Sequence, residues 1–384
     1  MTWEYNGVRF NHHCGVISLG KDSIEILPKI HGLESANENN LGASRNILIK
    51  MLVQTNKLKT PQGGRAGIDI QKHQLLDVFI DNFCSELFHQ LHQGVIKTYV
   101  LREDNLNVVK GRLMMKEQLR YNLIHKERFF CSYDEFIEDN SYNQVIKATL
   151  RHLFSRVTSN NLKRKLSELI NVFDSVTDCF KTSEDVDKLP RNRMVNRYNG
   201  VFAMCRMFLS GVSPDVVTGK HEALSLLFNM NELYEEFIAR RITRVAARMG
   251  LEAQAQKPQR YLATCEVKQA DMFKMMPDVT ISNQAGDIQV IIDTKWKLLN
   301  PEDAKYGISQ SDMYQMHAYA TQYACQNIVL LYPYHNGAGE KLPSLTVKVG
   351  GHRIKIMTVD LCSLTDKALP SVDEQLKLLL QLFL

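Results

Sequence analysis

Residues 276–296 read MPDVTISNQAGDIQVIIDTKW, from Met276 to Trp296. Two short apolar runs flank Ala285-Gly286-Asp287, which predicts a pair of strands joined by a turn. The charges of this stretch are placed unusually. Asp293 closes the apolar run Val290-Ile-Ile292, Lys295 follows two residues later, and Pro277-Asp278 opens the preceding strand. Residues two apart on a strand share a face, so Asp293 and Lys295 project together if the strand stays regular through Thr294. An antiparallel pairing would bring Asp278 to Asp293. Two neighbouring carboxylates repel each other unless a cation lies between them. Oxygen ligands of this kind suit Mg²⁺, which is commonly held by one or two carboxylates plus substrate phosphate. A nearby amine would orient or help deprotonate an attacking water while the metal polarises a phosphate. Alternatively, this is a hairpin whose polar ends face solvent. Spacing alone leaves both open.

Around this stretch lie 384 residues, more than one core comfortably holds, so two or three domains are expected. With 44% hydrophobic and 23% charged residues, the composition is that of an ordinary soluble globular protein. A formal net charge of +5 permits a nucleic-acid partner without demanding one, because local clustering matters more than the sum. The eight cysteines are scattered with no Cys-x-x-Cys pair, which predicts reduced, mostly buried thiols in a cytoplasmic protein. His12-His13-Cys14 lacks a second ligand pair at metal-site spacing. No signal peptide and no apolar run long enough to span a bilayer is evident, so no membrane association is expected. The Gly-rich connector Thr60–Gly67 lacks the Gly-Lys-Ser/Thr ending of a phosphate loop. Any nucleotide hydrolysis must therefore come from a partner.

Strands are expected at Gly15–Leu19 and Ser23–Leu27, then helices over Ser44–Leu58 and Lys72–Gln93. Val95–Phe136 reads as strand-like, with Lys110-Gly-Arg112 in its middle. Helices return over Asn143–Leu153, Leu162–Phe173 and Tyr198–Leu209, with Ser183–Pro190 as a polar connector and Gly211–Asp215 as a domain boundary. A long helix is expected over Glu222–Met249. Beyond it come strands at Tyr261–Val267, Asp278–Ser282 and Ile288–Thr294, a helix over Gln310–Ala324, and a strand at Asn327–Tyr332. Further strands are expected at Thr346–Val349 and Arg353–Val359, and a closing helix over Val372–Leu384. This order predicts an α/β (α+β) chain whose last part is a mixed sheet flanked by helices. The domains are expected at 1–94, 95–212 and 213–384.

Pro277-Asp278 followed by Asp293-Thr294-Lys295 resembles the PD-(D/E)xK nuclease superfamily, as do the preceding helix and the later Gln315-Met-His-Ala-Tyr319. Gln315 and Tyr319 fall on one helical face. More narrowly, Gly111-Arg112, Tyr133-Asp-Glu-Phe136, Asn143 with Ile146-Lys147, Asn196-Arg-Tyr198, Met230–Phe237, Ile291-Ile-Asp-Thr-Lys295 and Leu331-Tyr-Pro333 are similar, in order, to the McrC family. The Gly15-Val-Ile…Ile26-Leu-Pro-Lys-Ile30 opening is similar to a strand module carried by many of its members.

The resemblance implies a nuclease subunit of a modification-dependent (type IV) restriction system. It would act with McrB, a hexameric AAA+ GTPase that binds the GTP and reads methylated cytosine. A finger from about Val95 to Phe136 would enter the GTPase pore and stimulate hydrolysis. Carried over, Asp278 and Asp293 would bind Mg²⁺ and Lys295 would serve catalysis on double-stranded DNA. Glu235 would be a further acidic ligand or a solvated helix residue, and the Thr294 carbonyl a further oxygen ligand. Gln315 and Tyr319 would support the site. Arg240, Arg244 and Arg248, at four-residue steps, would either meet DNA phosphates or form a solvated face. Arg191, Arg193, Arg197 and Tyr198 form another basic patch. The rivals are a non-catalytic adaptor that keeps the nuclease fold for binding, and a stand-alone DNA repair nuclease.

Overall fold

The computed structural model describes residues 2–4, 7–19, 22–30, 38–58, 74–190, 192–210, 223–300, 302–334, 345–349 and 351–383. The Gly-rich connector at 60–67, Arg191 and the expected boundary at 211–215 lie outside them. The chain begins with a small hairpin of β1 (Thr2–Glu4) and β2 (Gly7–Arg9), then β3 (His13–Leu19) and β4 (Asp22–Ile26). Two helices follow, α1 (Glu38–Gln54) and α2 (Leu75–Leu91). The strand-like region resolves into β5 (Thr98–Leu106), β6 (Arg112–Leu113), α3 (Met115–Tyr121) and β7 (Phe129–Ile137). The helical stretch holds α4 (Ser141–Phe154), α5 (Asn160–Val172), α6 (Ser183–Asp187) and α7 (Asn199–Leu209), the last preceded by a 3₁₀ turn at Arg193–Tyr198.

Next come β8 (Ala223–Asn229), α8 (Met230–Arg248), β9 (Glu252–Ala255), β10 (Arg260–Cys265), β11 (Ala270–Met275), β12 (Val279–Ser282) and β13 (Ile288–Thr294). The chain closes with α9 (Gln310–Gln322), β14 (Asn327–Pro333), β15 (Leu345–Val349), β16 (His352–Val359) and α10 (Val372–Gln381).

Several elements differ from the sequence expectation. The helix expected from Glu222 begins only at Met230, and 223–229 is strand. Leu224 and Leu226 are buried at alternate positions, and the Asn229 side chain accepts from the Asn231 amide, fixing the helix start. The polar connector at 183–190 contains α6, nucleated by a capping box between Thr182 and Asp185. The short helix α3 interrupts the strand-like region, while β9 and β11 were not expected at all. Strand β11 is almost wholly exposed, and its apolar residues Met272, Phe273 and Met275 do not alternate with polar ones, so no strand pattern marks it.

Two compact units emerge. One comprises Met1–Gly15, Glu25–Leu75 and Leu227–Leu384; the other comprises Val16–Ile24 and Leu76–Leu226. In the second, β5 and β7 form a long antiparallel ribbon with β6 on the far side of β7. The turn into β6 depends on Gly111. Its φ is +68°, and a Cβ there would lie 2.6 Å from the Ser132 carbonyl oxygen. Around this end of the ribbon Val108, Val109, Leu123 and Ile124 are exposed.

The first unit is built on a mixed six-stranded sheet in the order β15-β16-β14-β13-β12-β9. The central pairs β13–β14 and β14–β16 are parallel, and β12 runs antiparallel to both β13 and β9. On one face Ile291, Ile328, Leu330, Tyr332, Ile354 and Ile356 pack with Met316, Tyr319, Ala320 and Tyr323 of α9. The intervening residues Val290, Ile292, Val329 and Leu331 are fully buried on the other face. This is the expected mixed α/β architecture. Because β13 is buried on both faces, any charge at its end is also drawn into the interior. Cys14, Cys84, Cys131, Cys205 and Cys325 are buried, and Cys14 lies against the Met230 sulfur rather than in a ligand set. Among the described residues no helix is long and apolar enough to cross a membrane.

Candidate active site

The register of β12 against β13 pairs Val279 with Ile292 and Thr280 with Ile291. Continued by one residue, it sets Asp278 opposite Asp293. Directly opposed residues of an antiparallel pair have Cβ atoms about 4.5–5.5 Å apart. A close contact connects the two strand ends. Asp278 Oδ2 accepts from the Thr294 amide and from its hydroxyl, each at 2.7 Å. The Pro-Asp turn is thereby fastened to the Asp-Thr-Lys strand by the residue between the two charged ones.

Asp293 is only 1% exposed. Lys295 Nζ lies 2.5 Å from its Oδ2, an ion pair by distance. Beyond that ion pair, neither carboxylate oxygen of Asp293 has a hydrogen-bond partner among the described residues. Buried carboxylate oxygens without donors are costly, so this pair is poised for a ligand. Lys295 also donates to Gln315 Oε1 at 3.2 Å. Gln315 Nε2 in turn donates to the Tyr319 hydroxyl at 2.8 Å, and that hydroxyl donates to the Met276 carbonyl at 3.1 Å. The Gln-x-x-x-Tyr pair thus links the lysine to the backbone two residues before Asp278.

Burial, reinforced by the neighbouring Asp293, pushes the Asp278 carboxyl up to about 7, against the pull of the Thr294 bonds. Burial raises Asp293 as well, with Lys295 opposing. For Lys295, burial would lower the value, but Asp293 and Asp278 outweigh it and hold the amine charged. Without a cation, the two carboxylates cannot both ionise comfortably at neutral pH.

Glu235 of α8 faces the same place. Burial and then Asp278 raise its carboxyl, and Gln256 Nε2 donates to its Oε1 at 2.8 Å. The Gln256 amide also donates to the Asp278 carbonyl. Gln256 was not singled out from sequence, where it lies in an uninformative polar run. The Lys297–Asp312 ion pair, at 3.0 Å, was missed too. Strand β13 ends at Thr294 and the Lys297 amide donates to the Lys295 carbonyl, so no strand alternation marks Lys297.

The three arginines separate. Arg240 and Arg244 line a groove of about 1000 Å³ together with Glu235 and Asp278. Arg248 instead turns toward Asp373, 3.6 Å away. Arg197 of the other basic patch donates to the Gly94 carbonyl, and Lys163 and Arg164 lie on the outer face of α5. His317 is exposed beside His352.

Among the described residues no three His, Cys, Asp or Glu side chains gather closely enough to constitute a metal cage. The carboxylate pair, with the Asp293 oxygens free of hydrogen bonds, and an adjacent strand carbonyl nevertheless fit a hard divalent cation that keeps most of its waters.

The family profile described as "McrBC 5-methylcytosine restriction system component" matches residues 8–333. The chain belongs to this McrBC family. A Thermococcus gammatolerans structure, described as a half-complex from a tetradecameric assembly of McrB AAA+ hexamers with bound McrC, shares the fold. That match has 20% identity and a TM-score of 0.74, covering 97% of this chain and 83% of the other. A second structure, of the T. gammatolerans McrBC complex, has 25% identity and a TM-score of 0.49 over 61% of this chain and 66% of the other. No curated protein matches the chain. In this McrBC-family chain the carboxylate cluster falls within the matched span, at 278–295.

Proposed function

We propose that this chain is the McrC-type DNA endonuclease subunit of a GTP-dependent, modified-cytosine-directed restriction system. The observation that carries the proposal is the Asp278–Asp293–Lys295 cluster around the buried Asp293, whose oxygens have the Lys295 ion pair but no further hydrogen-bond partner among the described residues. Asp278, Asp293 and the Thr294 carbonyl would hold Mg²⁺, with Glu235 as a further carboxylate. When bound, the cation polarises the scissile phosphate and lowers the pKa of its water.

The chain's own residues do the remaining work. Thr294 holds Asp278 Oδ2 and lowers its proton affinity, keeping the carboxylate available near neutral pH. Lys295, kept cationic by the two aspartates, orients the attacking water and offsets charge developing on the phosphate. Gln315 fixes the lysine's direction, and Tyr319 fixes Gln315. This set corresponds to the PD-(D/E)xK arrangement read from the sequence.

The β5–β7 ribbon and the exposed residues around Gly111 would dock onto a McrB-like AAA+ GTPase hexamer and stimulate it. The family and the McrC-bound McrB assembly of T. gammatolerans support that partner. GTP would be bound by the partner, the substrate would be double-stranded DNA, and the complex would work in the cytoplasm. A cleavage assay with the partner, GTP and Mg²⁺ tests the reading. Asp278→Ala and Asp293→Ala should each abolish cutting.

A further inference from the structure

The groove beside the carboxylates runs between α8 and the end of α1. Gln54, Asn56 and Lys57 form one wall, and Glu236, Arg240 and Arg244 lie along the other. These three α8 residues follow at four-residue steps, so they share one helical face. Glu235, which faces Asp278, lies nine residues before Arg244. At about 1.5 Å per residue the basic face extends about 13 Å from the carboxylates, or roughly four phosphates of one DNA strand along the helix axis.

Glu236 bridges the two walls. Its Oε2 lies 3.1 Å from Lys57 Nζ and its Oε1 lies 2.9 Å from Arg240 Nη2. The three side chains are 34–40% exposed. Ion pairs this open add little to stability, because water and salt screen them. They do little for the fold and exchange readily for another anion. One carboxylate therefore occupies two cations on opposite sides of a groove that ends at the cluster.

We propose that this groove carries the backbone of double-stranded DNA to the cluster, with Lys57, Arg240 and Arg244 as its phosphate contacts. Glu236 is a built-in competitor: it holds Lys57 and Arg240 extended across the groove and yields them when phosphate enters. This assignment rests on Asp278 and Asp293 forming the cleavage centre. It explains why the groove contains carboxylates as well as cations. The acids at one end await a metal, while Glu236 restrains sequence-independent binding by this chain.

The test measures fluorescence anisotropy of a labelled duplex of about 30 base pairs with the full chain in EDTA, from about 50 to about 200 mM salt. Glu236→Gln should tighten binding about threefold or more and steepen the salt dependence. Arg244→Gln and Lys57→Gln should each weaken binding and reduce the slope of log K against log salt by about 0.9. Thermal melts of each variant establish that it is folded. Several results overturn the proposal: no binding by the wild-type chain, unchanged or weaker binding by Glu236→Gln, or an unchanged slope in Arg244→Gln. So does a change confined to binding of the GTPase partner. Cutting by Asp293→Ala would overturn the cleavage centre instead. Loss of that cutting, with groove variants binding like wild type, would overturn the groove alone.

Discussion

Thr294 donates both its amide and its hydroxyl to one oxygen of Asp278, sixteen residues earlier in the chain. These bonds join the two halves of the carboxylate motif and oppose the rise in the Asp278 pKa caused by burial. Thr294→Val keeps the β-branched shape and removes one charge-assisted bond, which is worth about 1.5–3 kcal/mol. Asp278 should then hold its proton to higher pH. In a pH series of cleavage rates, the acid limb should move upward and the rate at pH 7 should fall about tenfold. An unmoved limb would show that Thr294 does not tune Asp278.

The raised Asp278 value gives the metal-free chain an unusual pH dependence. Its carboxyl titrates near 3.8 when unfolded and near 7 when folded, so between those values the folded chain binds more protons. Its contribution to stability therefore falls as pH rises from about 4 to about 7, and Asp293 acts in the same direction. In EDTA, melting should occur at a higher temperature at pH 5.5 than at pH 8, and Asp278→Asn should remove much of the difference. Added Mg²⁺ should stabilise the chain more at pH 8, where Asp278 has lost its proton.

Tyr319 joins α9 to the Pro-Asp turn through the Met276 carbonyl. Tyr319→Phe leaves that carbonyl without its donor and frees Gln315 from one partner. Chemical denaturation should show a loss of about 1–2 kcal/mol, and cleavage should fall with the chain still folded. Gln315→Ala should reduce kcat more than KM, because it releases Lys295 without removing a substrate contact.

Gly111 sits at positive φ against the Ser132 carbonyl, where no Cβ fits. Gly111→Ala should distort the turn at the end of the β5–β7 ribbon. GTPase stimulation should fall at least tenfold, while binding of the isolated chain to a DNA duplex stays near wild type. Equal loss of both would mean that the defect spreads beyond the ribbon.

The sheet and its helices were legible because their cores are periodic. Val290-Ile-Ile292 and Asn327–Tyr332 could hardly be anything but buried strands, and Asp293 and Lys295 fall on one face by parity alone. Less visible were elements whose stability comes from capping or from neighbours. Asn229 sets the start of α8, but the apolar residues before it resemble a helix when the cap is overlooked. Strand β11 has too little buried surface to leave a pattern. At the site, parity brought Asp293 to Lys295, and the McrC resemblance supplied roles for Asp278, Gln315 and Tyr319. Gln256 and Lys57 were invisible because their importance comes from contacts with Glu235 and Glu236, far away in sequence. Arg248 looks equivalent to Arg240 and Arg244 on a helical wheel. It diverges only because Asp373 of α10 is within reach.

The central claim is that Asp293 belongs to a cleavage centre separate from the partner-docking ribbon. The most direct measurement compares Asp293→Ala with the wild-type chain in the same reactions, containing the McrB-type GTPase, GTP, Mg²⁺ and methylated DNA. DNA cutting and GTP turnover are read side by side. The account predicts loss of cutting by at least a hundredfold with GTP turnover still stimulated. Cutting at the wild-type rate by a folded Asp293→Ala chain would contradict it.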